Sequence, residues 1–187
     1  MNSTELKILT AAHQLFFRFG FKKTSVDEIA AEAGVGKGTI YNHYSNKEEL
    51  FMKLGESMQT LVKEQVEREI SHVTQADERI FERIDREMKL FSAKKLESGA
   101  TPAIMQELFE VCGHLKSLQK YNEIGLIRDL ELGVEQGIFK KIDVEQTFKS
   151  IYTVMGQFML KWLFMDYEEV KLERNSILKM MIDGIRV

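Results

Sequence analysis

The sequence has few of the residues that interrupt helices or cross-link chains. One proline and 12 glycines in 187 residues favour long helices and argue against a β-sandwich. The single cysteine, Cys112, has no second cysteine to pair with, which suits a reducing cytoplasm. No run of about 20 apolar residues is present to span a membrane, and the start, MNSTELK, lacks the features of a secretory signal. We therefore expect an all-α, cytoplasmic protein.

Positive charge is also scarce, but it is unevenly distributed. The net charge is −3. Residues 1–47 carry six basic and four acidic side chains, whereas the remaining 140 residues carry 20 basic and 25 acidic ones. A weakly basic N-terminal part on an acidic body is compatible with nucleic acid bound at one end, although charge alone does not establish it.

The stretch from Thr24 to Leu50 predicts two short helices joined by a turn. Ser25 is a candidate N-cap with Glu28 three residues later, the spacing of a capping box. The segment VDEIAAEA then predicts a helix that Gly34 ends, since glycine readily adopts positive φ. A second helix of about two turns is predicted over Lys37–Tyr44.

The second helix has one apolar side and one polar side. Ile40 and Tyr44, four residues apart, are predicted to face inward. The outer side carries donors suited to phosphates and base edges: Lys37, Thr39, Tyr41, Asn42 and His43. This pattern indicates a helix-turn-helix with Lys37–Tyr44 as recognition helix. On pattern alone, two amphipathic helices of an ordinary all-α domain remain an alternative.

The first 50 residues resemble the N-terminal signature of the TetR (tetracycline-repressor) family, without gaps. The residues that carry this resemblance are Ala12, Leu15, Phe16, Gly20, Thr24, Ile29, Ala30, Ala33, Gly34, Val35, Gly38, Thr39, Tyr41, His43, Tyr44, Lys47, Glu48 and Leu50. The resemblance implies a helix-turn-helix DNA-binding domain over residues 1–47 and a helical ligand-binding and dimerisation domain over 48–187. The rest of the chain fits the family in length and helix pattern only.

The resemblance also implies roles at the DNA. Lys37, Gly38 and Thr39 are assigned to base edges or the adjacent backbone, with Gly38 allowing close approach and the Thr39 methyl group meeting a thymine. The residues assigned mainly to phosphates are Thr24, Ser25, Tyr41, Asn42, His43 and Lys47. At Gly36 the sequence departs from the family, where serine is frequent, so a side-chain cap is not expected there.

Helical periodicity and caps predict the remaining elements. Asn2 with Glu5, and Ser45 with Glu48, have N-cap spacing, and Thr101 and Asp143 are further candidate caps. The predicted helices are Thr4–Phe19, Asn46–Val73, Asp77–Lys95, Ala103–Cys112, Leu115–Gln136, Val144–Asp166 and Glu168–Ile185. The second of these, roughly 40 Å long, begins in the head and ends in the body, and links them.

The penultimate helix is the most apolar segment. Its stripe comprises Ile151, Val154, Met155, Phe158, Met159 and Trp162, with Phe148, Tyr152 and Leu163 on neighbouring faces. Such a helix must be covered on most sides. We expect the last two helices to form a four-helix interface with a second copy, as in the family, although burial in a monomeric core is an alternative.

The body is rich in methionine and phenylalanine, of which the chain has ten and 12. Methionine lines adaptable apolar cavities, although ordinary core packing is the simpler role for most of these residues. By resemblance we expect a largely hydrophobic or amphipathic effector to contact Met58, Met88, Phe91, Met105, Phe109, Cys112, Tyr121, Met155, Met159 and Trp162. Its binding would shift the long fourth helix and release the DNA.

Sites for other chemistry are not expected. Gly34–Thr39 is only superficially similar to a phosphate-binding loop, because Ala31 and Gly38 stand where a glycine and a hydroxyl are required. The histidines and Cys112 lack metal-ligand spacing, and no hydrolase motif occurs. We therefore expect no cofactor, no metal and no enzyme activity. A ligand-responsive homodimeric repressor is predicted, with a constitutive DNA-binding protein or an all-α ligand carrier as alternatives.

Overall fold

A computed structural model describes the backbone of residues 2–114, 119–162, 165 and 167–187. It describes the side chains of these residues except 94–96, 112–114, 119–123, 159 and 160. This part of the chain holds nine helices and no strand, as the all-α prediction required. The helices are α1 Ser3–Phe19, α2 Val26–Ala33, α3 Lys37–His43, α4 Lys47–Glu69, α5 Ala76–Ser98, α6 Pro102–His114, α7 Gln119–Glu135, α8 Val144–Trp162 and α9 Tyr167–Ile185.

The chain divides into two compact units. Unit 1 comprises residues 1–59 and 94–119, and unit 2 comprises residues 60–93 and 120–187. Unit 1 therefore contains α6 and the start of α4 in addition to α1, α2 and α3, whereas the sequence placed a boundary after residue 47. The helix α6 packs against α1, which explains its membership of this unit.

The core of unit 1 forms beneath α2 and α3. Five large side chains are almost completely inaccessible to solvent: Ile8, Phe16, Ile29, Ile40 and Leu50. Phe16, Phe21 and Phe51 add an aromatic cluster with ring centroids 5.1–5.4 Å apart. Such burial and edge-on aromatic packing hold the short helices in place, since helices of seven or eight residues are not stable alone.

The core of unit 2 is built from α5, α7, α8 and α9. Its buried residues include Ile80, Leu130, Ile151, Leu178 and Ile182. Gly133 allows the Phe139 ring to approach α7, since a Cβ there would lie 2.1 Å from the ring. Gly137, with φ +69°, reverses the chain just after α7, as predicted.

Most predicted caps are confirmed, and one is wrong. Asn2 and Asp143 accept hydrogen bonds from the backbone N–H groups of Glu5 and Gln146, at 2.8 and 2.9 Å, and Thr101 accepts from Ile104 N–H at 3.3 Å. The cap of α4, however, is Asn46, whose Oδ1 accepts from the N–H of Glu49 at 2.7 Å. Ser45 lies outside the helix, and its N–H donates to the Glu49 carboxylate at 2.6 Å.

The long fourth helix is shorter than predicted. It ends at Glu69 instead of Val73. Arg79 Nη1 donates to the carbonyl oxygens of Ile70 and Val73, at 3.2 and 2.9 Å. A side chain from the first turn of α5 thus satisfies carbonyls that lie just beyond the end of α4. The predicted ends at Leu115 and Asp166 lie outside the described residues.

Candidate nucleic-acid interface

The turn between α2 and α3 has the geometry that its sequence predicts. Ser25 Oγ accepts from the N–H of Glu28 at 3.2 Å, while the N–H of Ser25 donates to the Glu28 carboxylate at 2.7 Å. This reciprocal pair fixes the first turn of α2. Gly34 follows the helix with φ +65°, and its N–H is bonded to the last turn of α2. The two helices therefore leave this turn in a defined direction.

The recognition helix presents the predicted face to solvent. Ile40 and Tyr44 are 1% and 4% exposed, so they anchor α3 to the core. Five of the residues assigned to DNA are exposed on α3, and Thr39 is half-buried; the exposed five are Lys37, Gly38, Tyr41, Asn42 and His43. Burial raises the pKa of Tyr44 to about 12, so this anchor stays neutral at physiological pH. The outer side chains are thus held on a rigid support while remaining available to a partner.

Lys37 is joined to α2 by an exposed ion pair. Its Nζ lies 2.8 Å from Asp27 Oδ2, and both side chains are at least half exposed. The hydrogen bond that Lys37 donates to the Asp27 carboxylate raises the pKa of Lys37. Exposed pairs of this kind contribute little to stability and are easily exchanged. Asp27 therefore competes with any acceptor that Lys37 would meet on DNA, a role that the sequence did not indicate.

Thr24 and Ser25 have different surroundings although they are neighbours. Thr24 is only 2% exposed, and its hydroxyl donates to the carbonyl oxygen of Gly20 at 2.7 Å. A hydroxyl has one proton to donate, and this one is used internally, so the phosphate contact expected of Thr24 stays a prediction that would require this bond to be exchanged. Ser25 is exposed, but its hydroxyl lies 2.7 Å from the Glu28 carboxylate.

Lys47 supports the loop between α1 and α2. Its Nζ donates to the carbonyl oxygens of Phe21 and Thr24, at 2.8 and 2.9 Å, and lies 4.4 Å from the centre of the Phe21 ring. An ammonium group has three donors, so one is left for a phosphate. The phosphate role stays a prediction, and the observed structural role explains a lysine in the first turn of α4 despite the unfavourable helix dipole.

Two glycines lie at the start of the recognition helix, Gly36 at its N-cap position and Gly38 within its first turn. Gly36 precedes α3 and gives it no side-chain cap, as its departure from the family pattern predicted. A Cβ at Gly38 would meet no atom within 4 Å, and its φ is negative. The fold therefore does not require glycine at position 38, and glycine in a helix interior is unfavourable.

The predicted effector residues belong to both units. Met58, Met105 and Phe109 lie in unit 1, and Met88, Phe91, Met155 and Trp162 lie in unit 2. Met88 is buried, with its sulfur 3.0 Å from Nη1 of the fully buried Arg174. Phe91 packs on an apolar cluster of α4, and Met155 packs on the core of unit 2. The side chains of Cys112, Tyr121 and Met159 lie outside the described residues.

Sequence reasoning missed one further contact of the head. The Glu107 carboxylate on α6 accepts a hydrogen bond from the N–H of Lys22 at 2.6 Å. The two residues are 85 positions apart. No local pattern joins them, so only the folded chain reveals the pair.

The short helices α2 and α3 form a helix-turn-helix, and comparison with known proteins shows which proteins this chain is similar to. Residues 8–54 match the family described as bacterial regulatory proteins, tetR family. Over these residues the chain is similar to the TetR family of transcriptional regulators. The relatives described below are named as regulators.

Similarity extends over the whole chain for some relatives. The fatty acid metabolism regulator protein of Bacillus subtilis is 28% identical over 189 residues, which cover 96% of this chain and 94% of that protein. The structure of FadR from Bacillus subtilis in complex with stearoyl-CoA superposes with a TM-score of 0.76 at 23% identity, covering 97% of this chain and 99% of the other. A putative TetR-family regulator from Syntrophomonas wolfei superposes with a TM-score of 0.78 at 24% identity, covering 98% and 97%.

Across the described residues, no helix combines the length and the apolar character that a bilayer crossing requires.

Proposed function

We propose that this chain is a homodimeric transcriptional repressor that binds palindromic operator DNA through α3 and is released by a fatty acyl effector. The observation that carries the DNA-binding part is the division of α3 into a buried anchor, Ile40 and Tyr44, and an exposed polar face. A short helix held from behind and polar in front is suited to insertion into a major groove.

The assignment of side chains follows their exposure. Lys37, Gly38 and Thr39, at the start of α3, would contact base edges or the nearby backbone. Tyr41, Asn42 and His43 would bind phosphates, with Ser25 and the third donor of Lys47. Thr24 would act indirectly by holding the loop that precedes α2, since its hydroxyl is bonded to Gly20 O.

Dimerisation through α8 and α9 is supported by apolar exposure on α9. Leu172 and Met180 are 77% and 72% exposed and lie eight residues apart, so they share one face of the helix. A second copy that covered this face would bury both side chains. Two linked heads would also make the second half-site contact intramolecular, which strengthens binding to a palindrome.

The effector assignment is supported by the names of the relatives. The full-length relative is a fatty acid metabolism regulator, and the structural relative holds stearoyl-CoA. The methionine-rich body of this chain suits a flexible apolar ligand. The helix α4 contributes residues to both units, so a ligand that shifts this helix would change the position of the recognition helices.

Fluorescence anisotropy of the DNA upstream of its own gene tests this function. We expect specific binding whose affinity falls steeply with salt, as phosphate contacts require. Stearoyl-CoA should release the DNA, whereas free CoA should not. Salt-independent or absent DNA binding would refute the repressor, and specific DNA binding unaffected by acyl-CoA would refute only the effector.

A further inference from the structure

Four charged side chains form a partly buried cluster in unit 2, which we name the clasp: Glu67 on α4, Arg79 and Arg83 on α5, and Asp129 on α7. Each oxygen of Asp129 faces the Nε of one arginine, at 2.8 Å from Arg79 and 2.7 Å from Arg83. Glu67 pairs in the same way with Nη2 of Arg79 at 3.5 Å and with Nη1 of Arg83 at 2.8 Å. The clasp therefore joins three helices through two arginines and two carboxylates.

The two arginines differ in one respect. All three nitrogens of Arg79 have acceptors, because its Nη1 donates to two backbone carbonyls. Arg83 is 2% exposed, and its Nη2 is buried with no acceptor among the described residues. A buried donor without an acceptor carries a large desolvation cost, so it calls for a specific explanation.

The helices that carry the clasp also carry an apolar cluster, and a glycine of α7 faces Arg83. Leu90 and Phe91 on α5 pack against Val62, Val66 and Ile70 of α4, next to the clasp in sequence and on the same pair of helices. On α7, a Cβ at Gly125 would lie 2.5 Å from Arg83 Nη1, so glycine at this position leaves room for the guanidinium as it lies. Arg83 is thus a buried cation on a helix that also contributes to the apolar cluster.

We propose that Arg83 Nη2 is the hydrogen-bond donor for the carbonyl oxygen of the fatty acyl effector, with the alkyl chain against neighbouring apolar side chains. This inference rests on the proposed function and adds the atom that recognises the acyl group. A charged donor in a desolvated place binds an acceptor oxygen strongly and with defined geometry.

The charge balance favours an uncharged carbonyl over a carboxylate. The two arginine charges already face those of Glu67 and Asp129. Glu87 lies one turn after Arg83 on the same face of α5, and burial raises its pKa to about 7 while Glu67 and Asp129 act in the same direction. A ligand carboxylate would add a further negative charge to three acidic groups, whereas a thioester, ester or amide carbonyl would add none.

The test compares stearoyl-CoA with its S-octadecyl thioether, which differs by the carbonyl oxygen, in calorimetric titrations of the full-length protein. We expect the wild type to bind the thioester roughly tenfold more tightly, the ratio that one charge-assisted hydrogen bond gives. Arg83→Lys keeps the positive charge but lacks Nη2, so it should bind both compounds equally. Arg79→Lys is the matched control, because it alters the same clasp but should keep the preference.

Each alternative result is distinct. Equal binding of both compounds by the wild type, or a preference that survives in Arg83→Lys, would overturn the role of Arg83 and leave the proposed effector intact. Failure of both compounds to bind would refute the fatty acyl effector and this inference together.

A measurement on the wild type covers the case in which Arg83→Lys does not fold. With a ¹³C-labelled thioester carbonyl, infrared spectroscopy should place the bound C=O stretch at or below its wavenumber in water. A higher wavenumber, typical of a carbonyl without a donor, would overturn the proposal.

Discussion

Glu107 and Lys22 join α6 to the loop that precedes the helix-turn-helix. The carboxylate accepts from the Lys22 N–H at 2.6 Å. A Cβ at the adjacent Gly20 would lie 2.8 Å from Glu107 Oε2, so the glycine leaves room for the carboxylate. Gly20 also has φ +89°, which disfavours any other residue. Glycine at position 20 therefore permits both the conformation of the loop and the close approach of the Glu107 carboxylate.

Glu107→Ala should weaken the coupling between effector and DNA. Loss of one hydrogen bond to a backbone N–H should lower the free energy of unfolding by about 1 kcal/mol. If α6 transmits the effector signal, the ratio of DNA affinities without and with stearoyl-CoA should also fall. Anisotropy titrations measure this ratio, with Glu110→Ala on the same helix as the control. An unchanged ratio in a folded Glu107→Ala protein would exclude this route.

Gly38→Ala should separate stability from DNA binding. Because a Cβ at Gly38 meets nothing, alanine should stabilise the free protein by about 1 kcal/mol through helix propensity. If the backbone of α3 approaches DNA closely, operator affinity should fall by roughly tenfold or more. Chemical denaturation and anisotropy measure the two effects. Gly184→Ala on α9, also open, should leave operator affinity unchanged.

Asp27→Asn should strengthen DNA binding. The change removes the acceptor that holds Lys37 Nζ at 2.8 Å and also removes a negative charge beside the recognition helix. We expect an increase in operator affinity of roughly two- to fivefold, largest at low salt, because the released lysine can meet a phosphate or base edge. Glu32→Gln removes one charge from the same helix and serves as the control. Equal effects of both substitutions would indicate a general charge effect instead of the specific pair.

Asp129→Asn should destabilise the protein strongly. The carboxylate is 1% exposed and pairs with both arginines of the clasp. Removing one partner of a buried charge network leaves unpaired charge, and the free energy of unfolding should fall by about 3–5 kcal/mol. Urea denaturation measures this loss, and Glu131→Gln, exposed on the same helix, should change it little. A loss below about 1 kcal/mol would mean that the clasp is well solvated.

Glu87 should make the protein less stable as the pH rises. Its folded pKa of about 7 exceeds the ordinary value of 4.5, so the folded state binds more protons between these values. The free energy of unfolding contributed by this group therefore falls from pH 4.5 to about pH 7 and is constant above that range. Glu87→Gln should remove this pH-dependent contribution, roughly 3 kcal/mol over the whole range. Urea denaturation at pH 5 and 8 compares wild type and variant, and parallel pH dependence would contradict the assignment.

Local features of the sequence predicted local features of the structure. The bounds of α2, the capping box of Ser25 and Glu28, and the inward positions of Ile40 and Tyr44 all follow from residues a few positions apart. The predicted N-cap of α4 was wrong by one residue. Ser45 and Asn46 are both suitable cap residues, and each has a glutamate three residues later, Glu48 or Glu49. Only the packed structure decides between such equivalent registers.

Long-range contacts could not be predicted in this way. Thr24 lies in a polar loop segment, yet burial and a bond to Gly20 O give its hydroxyl an internal role. Arg79 and Arg83 look like solvated helix residues until Asp129, 46–50 positions away, is placed beside them. The spacing of apolar residues along a helix does not indicate which charged side chain of a distant helix will pair with it.

The membership of α6 in unit 1 has a consequence for building chimeric regulators. A graft cut after residue 47, or after 59, would transfer the recognition helix but leave behind Glu107, which holds the loop before α2. The foreign body would then have to supply a carboxylate at the same place. Exchange of DNA specificity between relatives should therefore move residues 94–119 along with the head, although the intervening residues 60–93 stay with the recipient.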